Sequence, residues 1–175
     1  MTQPLYSDED AVRRAGRPRA LMVGFVMAWL AALATQVSGV GILIGGKRTI
    51  RAYVESTAVG IADPEVIAKL IENELDQAYS LLSLKGWIGI GTAALVLIGC
   101  VVAVRANRGA TRGLVIVALL ANMIAAGLQL GENELLPDLC VLTSFFAALM
   151  SICAIVPFVM PSVRRHGRAR RAGRA

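Results

Sequence analysis

Four long apolar runs, separated by polar segments, dictate what this chain can fold into. They cover residues 20–46, 86–104, 113–130 and 135–163. A run of about 18 or more apolar residues is the mark of a transmembrane helix. In hydrocarbon each backbone N–H and C=O has to be satisfied within its own segment, so such runs become helices. The expected fold class is therefore all-α: a polytopic membrane protein of four transmembrane helices. Composition agrees, because 56% of the residues are hydrophobic, against about 45–50% in a soluble domain. The second run is close to the minimum length for a span, and Trp87 opens it, where an amphipathic ring favours the membrane–water interface. Pro157 and Pro161 stand near the end of the fourth run and are expected to kink or terminate its last turns.

Charge sets the orientation. With the N-terminus inside, the cytoplasmic segments hold thirteen basic residues and the outer segments five. This positive-inside bias places both termini in the cytoplasm of a multi-pass protein of the cell membrane. Lys47, Arg48 and Arg51 run against the pattern without reversing it. The net charge of +6 then reflects arginines beside apolar runs rather than a nucleic-acid partner. Basic residues followed by Ala32-Leu33-Ala34 resemble a cleaved signal sequence. The apolar run continues well past Ala34 without a polar break, so a retained span is expected.

Three soluble portions flank the spans. Residues 1–19 are polar and lack apolar periodicity, as expected of a disordered cytoplasmic tail. Residues 164–175 form a basic cytoplasmic tail, in which Arg164, Arg165, Arg168, Arg170 and Arg171 are candidate contacts for anionic lipid headgroups. Residues 47–85 form the outer loop. Within it Asp63-Pro64-Glu65 reads as a helix start. Val66, Ile67, Leu70, Ile71 and Leu75 follow at helical spacing, with Glu65, Lys69, Glu72 and Asp76 on the other face. An extracytoplasmic amphipathic helix is expected here. It lies on the outer membrane surface or across the mouth of the bundle, or leads directly into the second span.

No Asp, Glu, Lys, Arg or His falls near the middle of any run, and ion-coupled transport generally needs an ionisable group at depth. The polar residues at depth are uncharged: Thr35, Gln36, Ser38, Thr92, Asn122, Gln129, Thr143, Ser144 and Ser151. Gln36 and Asn122 fall nearest the bilayer centre. Gln36, Asn122 and Gln129 are the candidate intramembrane contacts, either lining a polar pocket or path or hydrogen-bonding between helices. The second reading is favoured, since amides at such depths commonly serve as packing contacts. Gly41 and Gly45 form a GxxxG, which fits close packing within one subunit as well as dimerisation.

Other candidates are weaker. Glu132, Glu134 and Asp138 crowd the outer turn between the third and fourth runs but lack a calcium-loop pattern, and Asp138 can simply cap the fourth helix. Cys100, Cys140 and Cys153 have no paired spacing, and His166 is alone among arginines. No catalytic, metal or cofactor constellation emerges, and the expectation is a chain that is not an enzyme.

Arg17-Pro18-Arg19 before a first span containing Trp29-Leu30, the outer loop with its amphipathic segment, and the inner link from Arg105 to Arg112 together carry a resemblance. The chain resembles the small, uncharacterised four-span integral membrane proteins that are abundant in actinobacteria. In many of those the link carries a Trp-Ala-Arg-like triplet; Ala110-Thr111-Arg112 stands here without the tryptophan. That group has no established activity, so the resemblance implies architecture and no catalytic residue. The expected function is a structural or accessory membrane component acting by helix–helix and lipid contacts, by self-association or within a larger envelope complex. The alternative is a small permease, channel or holin-like pore with Gln36 and Asn122 lining the path. A lipid-modifying enzyme using the outer carboxylates comes last, because no base–nucleophile pair is visible.

Overall fold

A computed structural model describes residues 19–57, 64–106, 109–131 and 135–160. Among these residues it has four helices: α1 (Arg19–Thr57), α2 (Pro64–Ala106), α3 (Gly109–Leu130) and α4 (Asp138–Val159). There is no strand among the described residues. All four helices are long and apolar enough to cross a membrane, so the chain has the architecture of a multi-pass membrane protein. Residues 1–18 of the N-terminal tail and the whole C-terminal tail, with its five candidate arginines, lie outside the described residues, and Arg19 opens α1.

The helices form a ring in chain order. α1 packs against α2 and α4, and α3 closes the ring against α2 and α4, with slight contact across the α1–α3 diagonal. The buried positions explain this arrangement. On α1 they include Leu21, Phe25, Ala28, Ala32, Thr35, Gly39, Ile42 and Gly46. On α2 they include Leu82, Gly86, Gly89, Ala93, Val96, Cys100 and Ala103. α3 contributes Val115, Leu119, Asn122, Ala126 and Gln129, and α4 contributes Cys140, Ser144, Ala147, Ser151, Ala154 and Phe158. Each set alternates steps of four and three residues. A sustained seven-residue repeat keeps one seam facing the neighbours only if the helices wind around each other left-handedly.

The seam is made largely of small residues, while large apolar side chains such as Ile44, Val117, Leu142 and Phe145 point outward. This inversion suits a lipid surround. Hydrocarbon solvates Leu and Phe as well as a core does, so small residues that allow close backbone approach take the interior. Backbone meets backbone closely where α1 crosses α2. A Cβ at Gly39 would lie 2.8 Å from the Gly86 carbonyl oxygen and 2.8 Å from Ile90 Cγ1. The Gly41–Gly45 pair is used inside the chain: a Cβ at Gly41 would meet Cys140 Sγ at 2.6 Å, and one at Gly45 would meet Pro137 Cγ at 3.4 Å.

The helices are of unequal length. α3 and α4 have 22 residues each, about 33 Å at 1.5 Å per residue, which matches a hydrocarbon core of about 30 Å. α1 has 39 residues and α2 has 43, so both run on past one end of the bundle as a paired extension. The segment expected to form an amphipathic helix is not a separate element. The helix that begins at Pro64 continues unbroken through Trp87 into the second span. Leu75, Ala78 and Tyr79 pack against Ile42, Ile50 and Leu82, together with Val54 from α1 and Leu135 from the α3–α4 turn. Continuity costs nothing there, because no residue between 65 and 85 breaks a helix and the α1 extension offers an apolar partner. Tyr79 donates its hydroxyl to the Leu43 carbonyl at 2.9 Å, and Lys47 sits 3.4 Å from Asp76 and 4.9 Å from the Tyr79 ring centre. Asp63, expected to cap this helix, lies outside the described residues.

At the start of α4 the cap position belongs to Pro137, with Asp138 inside the first turn. There its charge faces the positive end of the helix dipole rather than closing the helix with a side-chain hydrogen bond. At the other end α4 runs through Pro157 and stops at Val159; Met160 adopts φ −54°, ψ 137°. The residue before a proline is driven out of the helical region, and Pro161 follows Met160. Pro157 itself is buried, with its Cβ 3.1 Å from where a Cβ on Gly24 would lie.

Candidate functional site

The polar side chains at membrane depth gather into two layers, each drawing on all four helices. Asn122 of α3 centres the first. Its side-chain nitrogen donates to Thr35 Oγ1 of α1 at 3.0 Å and to Ser151 Oγ of α4 at 3.2 Å. Thr92 of α2 approaches the Asn122 carbonyl oxygen at 3.4 Å. Thr35 and Ser151 in turn donate their own protons to backbone carbonyls one turn earlier, Ala31 at 3.0 Å and Ala147 at 2.8 Å. These two hydroxyls therefore act toward Asn122 purely as acceptors.

Gln129 centres the second layer, seven residues and about 10 Å further along α3. Its side-chain oxygen accepts from Ser38 of α1 at 3.0 Å and from Ser144 of α4 at 2.8 Å. The two serine oxygens are 2.7 Å apart. The Gln129 nitrogen donates to the Lys85 carbonyl of α2 at 3.4 Å. Gly89 makes room for it, since a Cβ there would sit 2.5 Å from the Gln129 nitrogen. Asn122, Gln129, Thr35, Ser38, Ser144 and Ser151 are all fully buried.

Apolar packing brackets the layers. Phe25 and Phe158 meet edge to face, 5.2 Å between ring centres, within the cluster that fills the end of the bundle holding the start of α1. Ala34, Ala126 and Ala147 form a cluster of their own, and Ile42, Ile50, Leu82, Leu136 and Cys140 close the opposite end. Among the described residues, the interior so built contains amides and hydroxyls but no ionisable carboxylate, amine or imidazole. Its chemistry is hydrogen bonding, which in a dry interior holds helices in register and in rotation.

The candidates named from sequence separate into three groups. Asn122 and Gln129 become the centres of the two layers. Gln36 does not join them: it is half-buried on the outer side of α1, and no hydrogen bond reaches its amide from any described residue. Thr143 bonds only within α4, to the Leu139 carbonyl at 2.8 Å. Cys100 is buried in the apolar core, and all three cysteines are free thiols. Of the outer carboxylates only Asp138 falls among the described residues, and no group of three metal-ligating side chains occurs among those residues. The seven-residue spacing of Asn122 to Gln129, matched by Ser144 to Ser151, is the signal by which the layers could have been grouped from sequence.

Comparison with known protein families, with curated proteins and with solved structures finds no match to this chain.

Proposed function

We propose that the protein is a non-enzymatic component of the cell membrane that acts through helix–helix and lipid contacts, with both termini in the cytoplasm. The observation that carries the reading is the inward closure of the two polar layers. Each deep interior amide bonds to side chains or backbone of neighbouring helices, which favours a packing role over a ligand or an ion. The pore alternative asked Gln36 and Asn122 to line one path; the burial of Asn122 inside the bundle, with Gln36 on the outer side of α1, counts against it. The basic excess of the inner segments supports the orientation and supplies contacts for anionic headgroups.

Reconstitution in liposomes tests this. The full-length protein and its Asn122→Leu variant are both expected to leave ion and small-solute leakage at the level of empty vesicles. Flux through the wild-type protein that Asn122→Leu abolishes would overturn the reading in favour of a pore.

A further inference from the structure

Among the described residues, Gln36 is the one deep amide that the bundle leaves without a partner. It stands on α1 eleven residues from Lys47 and seventeen from Arg19. At 1.5 Å per residue those distances are about 16 Å and 25 Å along the axis, so both charged ends lie beyond the reach of the side chain. An amide in hydrocarbon keeps two N–H donors and a carbonyl acceptor whose bonds to water have been lost. Every other interior amide in the bundle has found partners. Gln36 belongs instead to a second pattern on the same helix. Met22, Val26, Trp29, Leu33, Gln36 and Val40 recur in steps of four and three residues, and the five apolar members are exposed. This stripe is separate from the buried seam of α1. Along its first turns Met22, Val26 and Trp29, with Phe25 and Leu30, line an open apolar groove of about 350 Å³.

From this we infer that the outer face of α1 associates with the same face of a second copy of this chain, and that Gln36 pairs with its symmetry mate across the contact. The inference rests on the accessory reading and specifies its partner. Three features select a second copy over a different helix. A primary amide carries a donor and an acceptor side by side, so two glutamines related by a two-fold axis satisfy each other reciprocally without any other residue type. A single polar residue inside an apolar heptad stripe is the device that fixes register and partner number in paired helices. The groove beside Trp29 offers space for a large apolar side chain of the facing helix, and the stripe itself supplies Trp29 and Leu33.

The test uses the full-length chain carrying a C-terminal fluorophore in phosphatidylethanolamine–phosphatidylglycerol vesicles. Energy transfer is followed as lipid dilutes the protein. The wild-type chain is expected to dimerise. Gln36→Leu is expected to weaken the dimer about tenfold, the effect of losing two reciprocal hydrogen bonds of average membrane strength. Gln36→Asn is expected to retain part of the association, and Leu142→Ala on the exposed face of α4 to retain all of it. Gln36→Leu removes no bond within the chain, so its thermal stability in detergent should equal that of the wild type. In a background lacking native cysteines, Leu33→Cys or Val40→Cys should form disulfide-linked dimers in the membrane, whereas Ile124→Cys on α3 should not. Energy transfer that stays at the monomer level, dimerisation unchanged by Gln36→Leu, crosslinking through Ile124→Cys instead, or Leu33→Cys captured only by another polypeptide would each overturn the inference. Leakage measured on the same vesicles keeps the two readings apart. A monomer without flux defeats self-association alone, while a dimer whose flux Asn122→Leu abolishes defeats the accessory reading alone.

Discussion

Replacing Gly39 by leucine is expected to destabilise the bundle by roughly 2–3 kcal/mol, the range in which forcing bulk into a packed core falls. The reason lies in what the new side chain would meet. Its Cβ would stand 2.8 Å from the Gly86 carbonyl oxygen, and backbone does not swing aside as the tip of a side chain does. Relief requires α1 and α2 to separate, which loosens the seam on both sides of the crossing. Gly91→Ala on the same pair of helices is the control. It is exposed, and nothing lies within 4 Å of the added methyl, so its effect should stay within about 0.5 kcal/mol. Unfolding of both variants by sodium dodecyl sulfate in mixed micelles, followed by circular dichroism, measures the difference.

Removing the acceptors around Asn122 is expected to cost more than removing Asn122. In the double variant Thr35→Val, Ser151→Ala the amide stays buried while both of its N–H partners vanish. An orphaned buried donor costs roughly 1–3 kcal/mol. In Asn122→Leu the two hydroxyls keep their own backbone acceptors, Ala31 and Ala147, so nothing is stranded. The loss is then that of three interhelical bonds, with Thr35, Ser151 and Thr92, about 2 kcal/mol together at the average membrane value. Adding Asn122→Leu to the double variant should therefore restore stability. The same unfolding titration, run as a cycle, reads the sign of this non-additivity. A triple variant less stable than the double one would show that Asn122 contributes in some way other than through these bonds.

The four spans were legible because hydrocarbon imposes a length and a composition on any segment that crosses it, and residues 20–46 and 113–130 meet both without ambiguity. The ring order and the seam were not. On α3, Val117 and Leu120 face outward while Val115 and Leu119 face inward. A hydropathy pattern has no contrast between two apolar faces, and only the four-and-three spacing of small and polar residues carries the information. The unbroken course of α2 was legible as one of the alternatives: Lys69, Glu72 and Asp76 mark the polar face of a helix, and only the packing of Leu75 and Tyr79 against the α1 extension decides that this helix runs straight into the second span. Gln36 and Asn122, alike in depth and chemistry, were separable only by rotation about their helix axes. That rotation places Asn122 among three neighbouring helices and Gln36 on the outer rim of its own.

The central proposal is that the chain threads the membrane four times with its arginine-rich ends inside. Labelling by a membrane-impermeant maleimide tests it most directly, using single cysteines at Ser56, Arg105, Gly131 and Met160 in a background free of native cysteines. All four positions are exposed at helix ends or just beyond them. Ser56→Cys and Gly131→Cys should label in intact cells, and Arg105→Cys and Met160→Cys only after the membrane is permeabilised. Labelling of Arg105→Cys and Gly131→Cys from the same side would remove the third span and contradict the account.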